Sequence, residues 1–199
     1  MTAIAPTSDA GATAPVFSIH PSHLRIVYSQ RILKSKDILP LQSDDLWKIE
    51  SGIVRSLTWD EEGRTMTLGF WGEGDVVGNP LSRMQPYQIE CLTNIQMSEL
   101  LPGSDYLQQA LLIHAWKSEA LLSIVHQPYV VDRLLRLLEW LADQFGKPVA
   151  HGMLLDLRLT HQVLAETIGS TRVSVTRLLS QLEQAGKIQR SQRKLIVCP

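Results

Sequence analysis

Arg172 and Arg177 stand five positions apart in the run "STRVSVTRLLSQLE", Ser170–Glu183. At 100° per residue, Val175, Leu178, Leu179 and Leu182 gather into one apolar stripe, which predicts a helix with a buried side. Val173, Thr176, Arg177 and Ser180 fall on the opposite side, with Arg172 at the exposed N-terminal end. A face that is only solvated usually alternates Lys, Glu and Gln. This one is slim, cationic and rich in donors. A guanidinium presents a planar fork that matches O6 and N7 of guanine, and a small apolar side chain suits the thymine methyl group. The chemistry on offer is the reading of base edges in a major groove. The competing reading is two ordinary surface salt bridges.

The neighbouring elements have to hold that face in place. In "THQVLAETIGST" Thr160 is a candidate N-cap for a preceding short helix, although Val163 replaces the Glu or Gln of a capping box. Val163, Leu164 and Ile168 supply its inward face, and Gly169 permits the left-handed turn between the helices. Thr171 is the candidate N-cap of the second helix. Upstream, "MLLDLRLT" alternates like a strand, and "KIQRSQRKLIV" reads as a hairpin turning near Arg190–Gln192. Further upstream are two helical runs. The first places Leu107, Leu111, His114, Ser118, Leu121 and Val125 near one stripe, suited to packing on strands or on a twin helix in a dimer. The second places Val131, Leu134, Leu135, Leu138 and Leu141 on one face. Pro128 separates the two, and Gly146 with Pro148 stops the second. From about Phe17 to Leu101 short alternating runs (Leu46–Glu50, Ile53–Trp59, Thr65–Phe70, "YQIECL", "IQMSEL") predict a sandwich or barrel, with a hairpin tip at Glu61, Glu62 and Gly63.

Charge is distributed unevenly. The whole chain of 199 residues carries −1. Residues 155–199 hold seven Lys/Arg against three Asp/Glu, a net +4, which leaves −5 on the rest. A basic end on an acidic body suits a polyanion partner, and equally a solvated tail. Cys91 and Cys198 form no CxxC, so a disulfide framework, a zinc site and an iron–sulfur cluster are not expected. No apolar run is long enough to span a membrane. The start, "MTAIAPTSDAGATAP", lacks the basic and apolar regions of a signal peptide and reads as a disordered arm over residues 1–16. A cytoplasmic location is expected.

Thr160–Pro199 resembles the winged helix-turn-helix of the catabolite activator / fumarate–nitrate reductase regulator (CRP/FNR) family. "LAETIGSTRVSVTRLLSQLE" is most similar to its cyanobacterial nitrogen-regulator subgroup. More weakly, "LWKIESGIVRSLTWDEEGRTMTLGFWGEGDVVG" resembles the family's sensor domain, so the likeness runs from about Ile38 to Pro199. The resemblance implies an α+β fold. Its parts are a cupin-like β-roll (double-stranded β-helix) over 17–103, a dimerisation helix over 104–127 and a winged helix-turn-helix over 128–199. It implies base reading by Arg172, Val173 and Arg177. Phosphate contact is expected from Thr160, Thr171, Ser174 and Thr176 and from Arg190, Arg193 and Lys194 on the wing. It implies a homodimer joined through Leu107, Leu111, His114, Leu121 and Val125, acting on double-stranded DNA with RNA polymerase as a further partner. The expected operator is a palindrome close to GTA-N8-TAC, its half-sites about one helical turn apart. Many members carry Glu at the middle base-reading position, where it accepts from cytosine; Val173 cannot.

Cyclic-nucleotide members bind ribose with a Gly-Glu pair and the cyclic phosphate with Arg-Ser. Here Asn79 follows Gly78, and Gln85 and Pro86 stand at the Arg-Ser positions, with Arg83 as a displaced candidate. The pocket is expected to be degenerate and cAMP not to bind. No metal ligand set or cofactor is expected: the N-terminal cysteine cluster of the oxygen sensors is missing, the histidines show no haem-ligand pattern, and the small-molecule effector stays open. The subgroup's arginine for 2-oxoglutarate has no counterpart in Ser104–Gln127, where Lys117 is the single Lys or Arg. Two other classes compete. A cupin-type enzyme needs strand histidines, and none occurs between Leu46 and Leu100. An adaptor, or an effector-independent regulator controlled by a partner protein, remains open.

Overall fold

The computed structural model describes residues 29–100, 105–157, 159–191 and 194–199. The expected arm, the chain up to residue 28, Ser104 and Arg193 therefore lie outside the described residues. Seven strands come first: β1 (Gln30–Leu33), β2 (Leu46–Ser51), β3 (Val54–Trp59), β4 (Thr65–Trp71), β5 (Val76–Gly78), β6 (Gln88–Cys91) and β7 (Ile95–Glu99). They form two sheets with the orders β1-β7-β2-β5 and β4-β3-β6. Alternation along the strands sends Trp47, Ile49, Val54, Trp71, Val77, Ile89, Ile95 and Met97 into the space between the sheets, where all are buried. The β3–β4 hairpin turns at Glu61–Gly63. Asp60 Oδ1 accepts from the amides of Glu62 and Arg64 at 3.1 and 2.8 Å, and Gly63 takes φ 76°.

Helix α1 (Asp105–Val125) and α2 (Val130–Phe145) follow. Then come β8 (Lys147–Val149), β9 (Gly152–Leu155), α3 (His161–Ile168), α4 (Arg172–Gln184), β10 (Ile188–Ser191) and β11 (Lys194–Val197). The last four strands make one antiparallel sheet, β10-β11-β9-β8, beside the α3–α4 pair. No described helix is long and apolar enough to cross a membrane.

The face of α1 assigned to a dimer in the sequence is corrected by the structure. Leu121 is 5 % exposed and sits in the same core as Phe70 and Leu138. Leu107 packs beside Ala110, Leu46 and Val76, and Val125 packs against the core around α2. His114 stacks on Trp71 with ring centroids 4.0 Å apart. These four face their own chain because the roll and α2 offer apolar surface on that side. Of the five, Leu111 alone lies on the open side, together with Leu112, Trp116 and Leu122. Lys117 also turns inward, onto the Asp75 carboxylate, which accepts as well from the Gly72 amide at 2.7 Å. Burial pushes the His114 imidazole below its ordinary value; the Lys117 charge adds to this and Asp75 opposes it.

One hydrophobic cluster runs across the molecule. It joins Phe70 and Leu92 of the roll to Leu121 and Ile124 of α1 and Leu134, Leu138 and Leu141 of α2. It continues through Val163, Leu164 and Ile168 of α3 to Val175 and Leu179 of α4. Each such side chain stabilises the fold by about 1.5–3 kcal/mol when fully buried. The helix pair that carries Arg172 and Arg177 is thus packed onto the roll.

Candidate nucleic-acid interface

Thr160 is extended (φ −75°, ψ 154°), and its Oγ1 accepts from the Val163 amide at 3.1 Å, which starts α3. Gly169 ends it in the left-handed region (φ 63°, ψ 48°), and its amide donates to the Ala165 carbonyl. Nothing lies within 4 Å of where a Cβ would be, so the glycine is there for its backbone and not for space. Thr171 caps α4: its Oγ1 accepts from the Ser174 amide at 3.1 Å and donates to Ser174 Oγ at 3.0 Å. Both caps satisfy helix N–H groups that otherwise have no partner. Val175, Leu179 and Leu182 are buried and Leu178 half-buried, the side the periodicity selects.

The opposite side of α4 is open. Arg172, Val173, Thr176 and Arg177 are exposed, Val173 to 61 %. Among the described residues neither Arg172 nor Arg177 has an ion-pair partner. Two guanidiniums flanking an apolar side chain on one exposed helix face are available to base edges.

The hydroxyls are already engaged within the motif. Ser174 and Thr171 bond each other, and Thr176 donates to the Arg172 carbonyl at 2.9 Å. Their oxygens can still accept; the Thr171 and Thr176 protons are committed, whereas Ser174 accepts from Thr171 and keeps its own proton to donate. On the wing, Arg190 is not the free cation that the sequence suggested. Its Nε donates to Glu183 Oε2 at 2.9 Å, its Nη2 donates to that same oxygen and, at 3.3 Å, to Ser180. Those bonds hold the Glu183 carboxyl below its ordinary value. The pair fastens β10 to the C-terminal half of α4 and offsets the Arg190 charge. Lys194 lies 3.4 Å from Asp156, both about half exposed, a pairing that water weakens.

Sequence reasoning passed over His161. Its Nδ1 is 2.8 Å from Thr176 Oγ1. Because Thr176 donates to a carbonyl, Nδ1 carries the proton and Nε2 is the acceptor in the neutral ring. Burial first, then the Arg190 and Arg172 charges, keep this imidazole below its ordinary value. Its place directly after a helix cap was the signal available in the sequence.

The residues that the sequence assigned to the nucleotide pocket each have a local role or lie exposed. Gly78 has φ 153°, and a Cβ there would come within 1.9 Å of the Asp45 carbonyl oxygen, so close backbone approach already accounts for the glycine. Asn79 donates to the Gln42 carbonyl at 2.8 Å. Arg83 and Gln85 are exposed. Gln85 and Pro86 line a shallow cleft with Trp59, Asp60 and Glu61, whose charge repels a phosphate. Among the described residues no group of three or more His, Cys, Asp or Glu is placed to hold a metal.

Known proteins bear on this geometry in two ways. A profile of the Crp-like helix-turn-helix domain matches residues 132–199. The regulatory protein CysR of Synechococcus elongatus is 43% identical over 169 residues, covering 83% of this chain and 82% of that one. The global nitrogen regulator of Nostoc is 47% identical over 66 residues, 33% of this chain and 30% of that one. Among solved structures, the Thermus thermophilus regulator TTHB099 superposes with a TM-score of 0.73 at 22% identity, over 85% of this chain and 92% of that one. The likeness to CysR over most of the chain and the Crp-like match from α2 onward together show that the chain belongs to the CRP/FNR family of DNA-binding transcriptional regulators.

Proposed function

We propose that the protein acts as a homodimer on an inverted repeat close to GTA-N8-TAC and that its roll does not take cAMP. The observation that carries the reading is the open face of Arg172, Val173 and Arg177. One of the two arginines pairs with the single guanine of each GTA half-site through O6 and N7, the other reads a base edge beside it, and Val173 meets the methyl of the adjacent thymine. The likeness of this segment to the global nitrogen regulator supports the GTA half-site. Thr160, Thr171, Ser174, Thr176, Lys194 and Arg193 contact phosphates, and Arg190 contributes once Glu183 yields it.

The dimer is made by the open side of α1, where Leu111, Leu112, Trp116 and Leu122 leave apolar surface uncovered. Two-fold symmetry then places the two α4 helices on successive turns of one DNA face, where the complex meets RNA polymerase. The roll supports an effector-independent mode. Its interior is filled by Trp47 and Trp71, Asn79 is bonded to the backbone, and the nearest cleft is acidic.

Selection from a random DNA pool should recover the inverted repeat. On the selected site Arg177→Ala should cost about 1–3 kcal/mol, and less on scrambled DNA. Equal losses on both would make Arg177 a phosphate contact and defeat the base-reading assignment.

A further inference from the structure

Arg55 sits on β3 and is 6 % exposed. Its Nε donates to Glu90 Oε2 at 2.7 Å, across the ladder from it on β6. Its Nη1 donates to Glu166 Oε2, also at 2.7 Å, and Glu166 lies on α3, 111 residues away. Gln162 steadies the other Glu166 oxygen at 2.9 Å. One residue further along α3, the Thr167 hydroxyl donates to the Val163 carbonyl at 2.7 Å and lies 2.9 Å from Thr67 Oγ1 of β4, which leaves Thr67 as the donor between them. Two polar ties therefore join the outer face of the roll to the helix that abuts α4.

The apolar core between roll and helices already holds them together, but hydrophobic contact is non-directional. A planar guanidinium bonded to two carboxylates fixes distance and angle. Buried ion pairs contribute little net stability because desolvation offsets their attraction; selecting one arrangement is the better-attested result. In the arrangement selected here, the face of Arg172, Val173 and Arg177 is open.

We infer that the Arg55–Glu90–Glu166 triad is a positioning device for DNA binding: Arg55, on the roll, holds α3 at the angle that presents the recognition face of α4. The triad occupies the junction through which a sensor would have to act, and it needs no ligand to close. The inference rests on the DNA-binding reading above. It makes operator affinity depend on a roll residue that does not touch DNA.

The test compares Glu166→Gln, which removes the interdomain charge without changing size, with Glu90→Gln, which removes the charge confined to the roll. Both are measured with Arg55→Met and the double variant Arg55→Met/Glu166→Gln. Binding is followed on the selected operator and on scrambled DNA, at a temperature where circular dichroism shows each protein folded. The expected result is that Glu166→Gln weakens operator binding by about tenfold, in the usual range of coupling between sites. Glu90→Gln should stay within about threefold of wild type, scrambled DNA should be bound unchanged, and the double variant should bind no more weakly than Arg55→Met alone. If Arg55→Met does not fold, the contrast between Glu166→Gln and Glu90→Gln carries the test. A purely structural triad would instead lower the melting temperature in both glutamine variants and leave operator affinity untouched, and that result overturns the inference. Equal losses on both DNAs overturn it too. A wild-type protein with no sequence preference would instead remove the DNA-binding reading beneath it.

Discussion

Trp116 offers the sharpest test of the proposed dimer. It lies on the open side of α1 and is 63 % exposed, with Leu112 at 56 % and Leu122 at 58 % beside it. A tryptophan covers about 150–250 Å² when buried, so roughly 100 Å² of this one is left for a partner and absent in alanine. At about 25 cal/mol per Å² the change Trp116→Ala removes about 2.5 kcal/mol per subunit. A two-fold interface counts every substitution twice, which gives about 5 kcal/mol per dimer as an upper value. The dimer dissociation constant should rise by up to about three and a half orders of magnitude. Sedimentation velocity from nanomolar to micromolar protein reads this directly, and far-UV circular dichroism should be unchanged because Trp116 lies outside the described hydrophobic core. Leu121→Ala is the contrast: it opens a cavity inside the subunit and should cost about 2–5 kcal/mol of stability. A Trp116→Ala protein that stays dimeric at nanomolar concentration would refute the open-face assignment.

Acid should destabilise the protein through two histidines. His114 and His161 are both held below the ordinary 6.5, so the fold favours their neutral forms. That contribution is complete above about pH 6.5, the unfolded value, and is lost as pH falls through the lower native values. Urea midpoints between pH 7.5 and 5 should show the decline, and His114→Phe, which keeps a ring on Trp71, should flatten it; an unaltered slope would exonerate His114. Thr171→Ala removes the cap of α4 and should cost about 1 kcal/mol, a fall of about 2–4 °C in Tm by calorimetry; an unchanged Tm would mean that the cap bond contributes nothing. Cyclic AMP should leave operator affinity unaltered, and calorimetric titration to micromolar saturation would contradict that.

The recognition helix was legible in the sequence because its stripe has one solution: Val175, Leu179 and Leu182 share a side, and polar residues fill the rest. The caps at Thr160 and Thr171 and the Glu61–Gly63 tip follow from equally local chemistry. Helix α1 was harder to read. Leu107, Ala110, Leu121 and Ile124 make one apolar side, and Leu111, Leu112, Trp116 and Leu122 make another. Periodicity shows that both exist but not which one its own chain covers. Arg55 and Glu166 were beyond reach for a different reason. Nothing local in a charged residue on a strand announces a carboxylate 111 positions later. His161 depends likewise on how α3 packs against α4, and the Arg190–Glu183 pair on how the wing folds back over α4.

The continuous core from Phe70 and Leu92 into α3 and α4 bears on modularity. A boundary drawn at Pro128 looks like a place to cut, yet the excised C-terminal piece would leave Val163, Leu164 and their neighbours facing water where the roll had been. Grafting this reading head onto a foreign sensor would need a matching bed for α3 as well as a compatible linker. Heating should melt the roll and the reading head in a single cooperative transition and not in two steps.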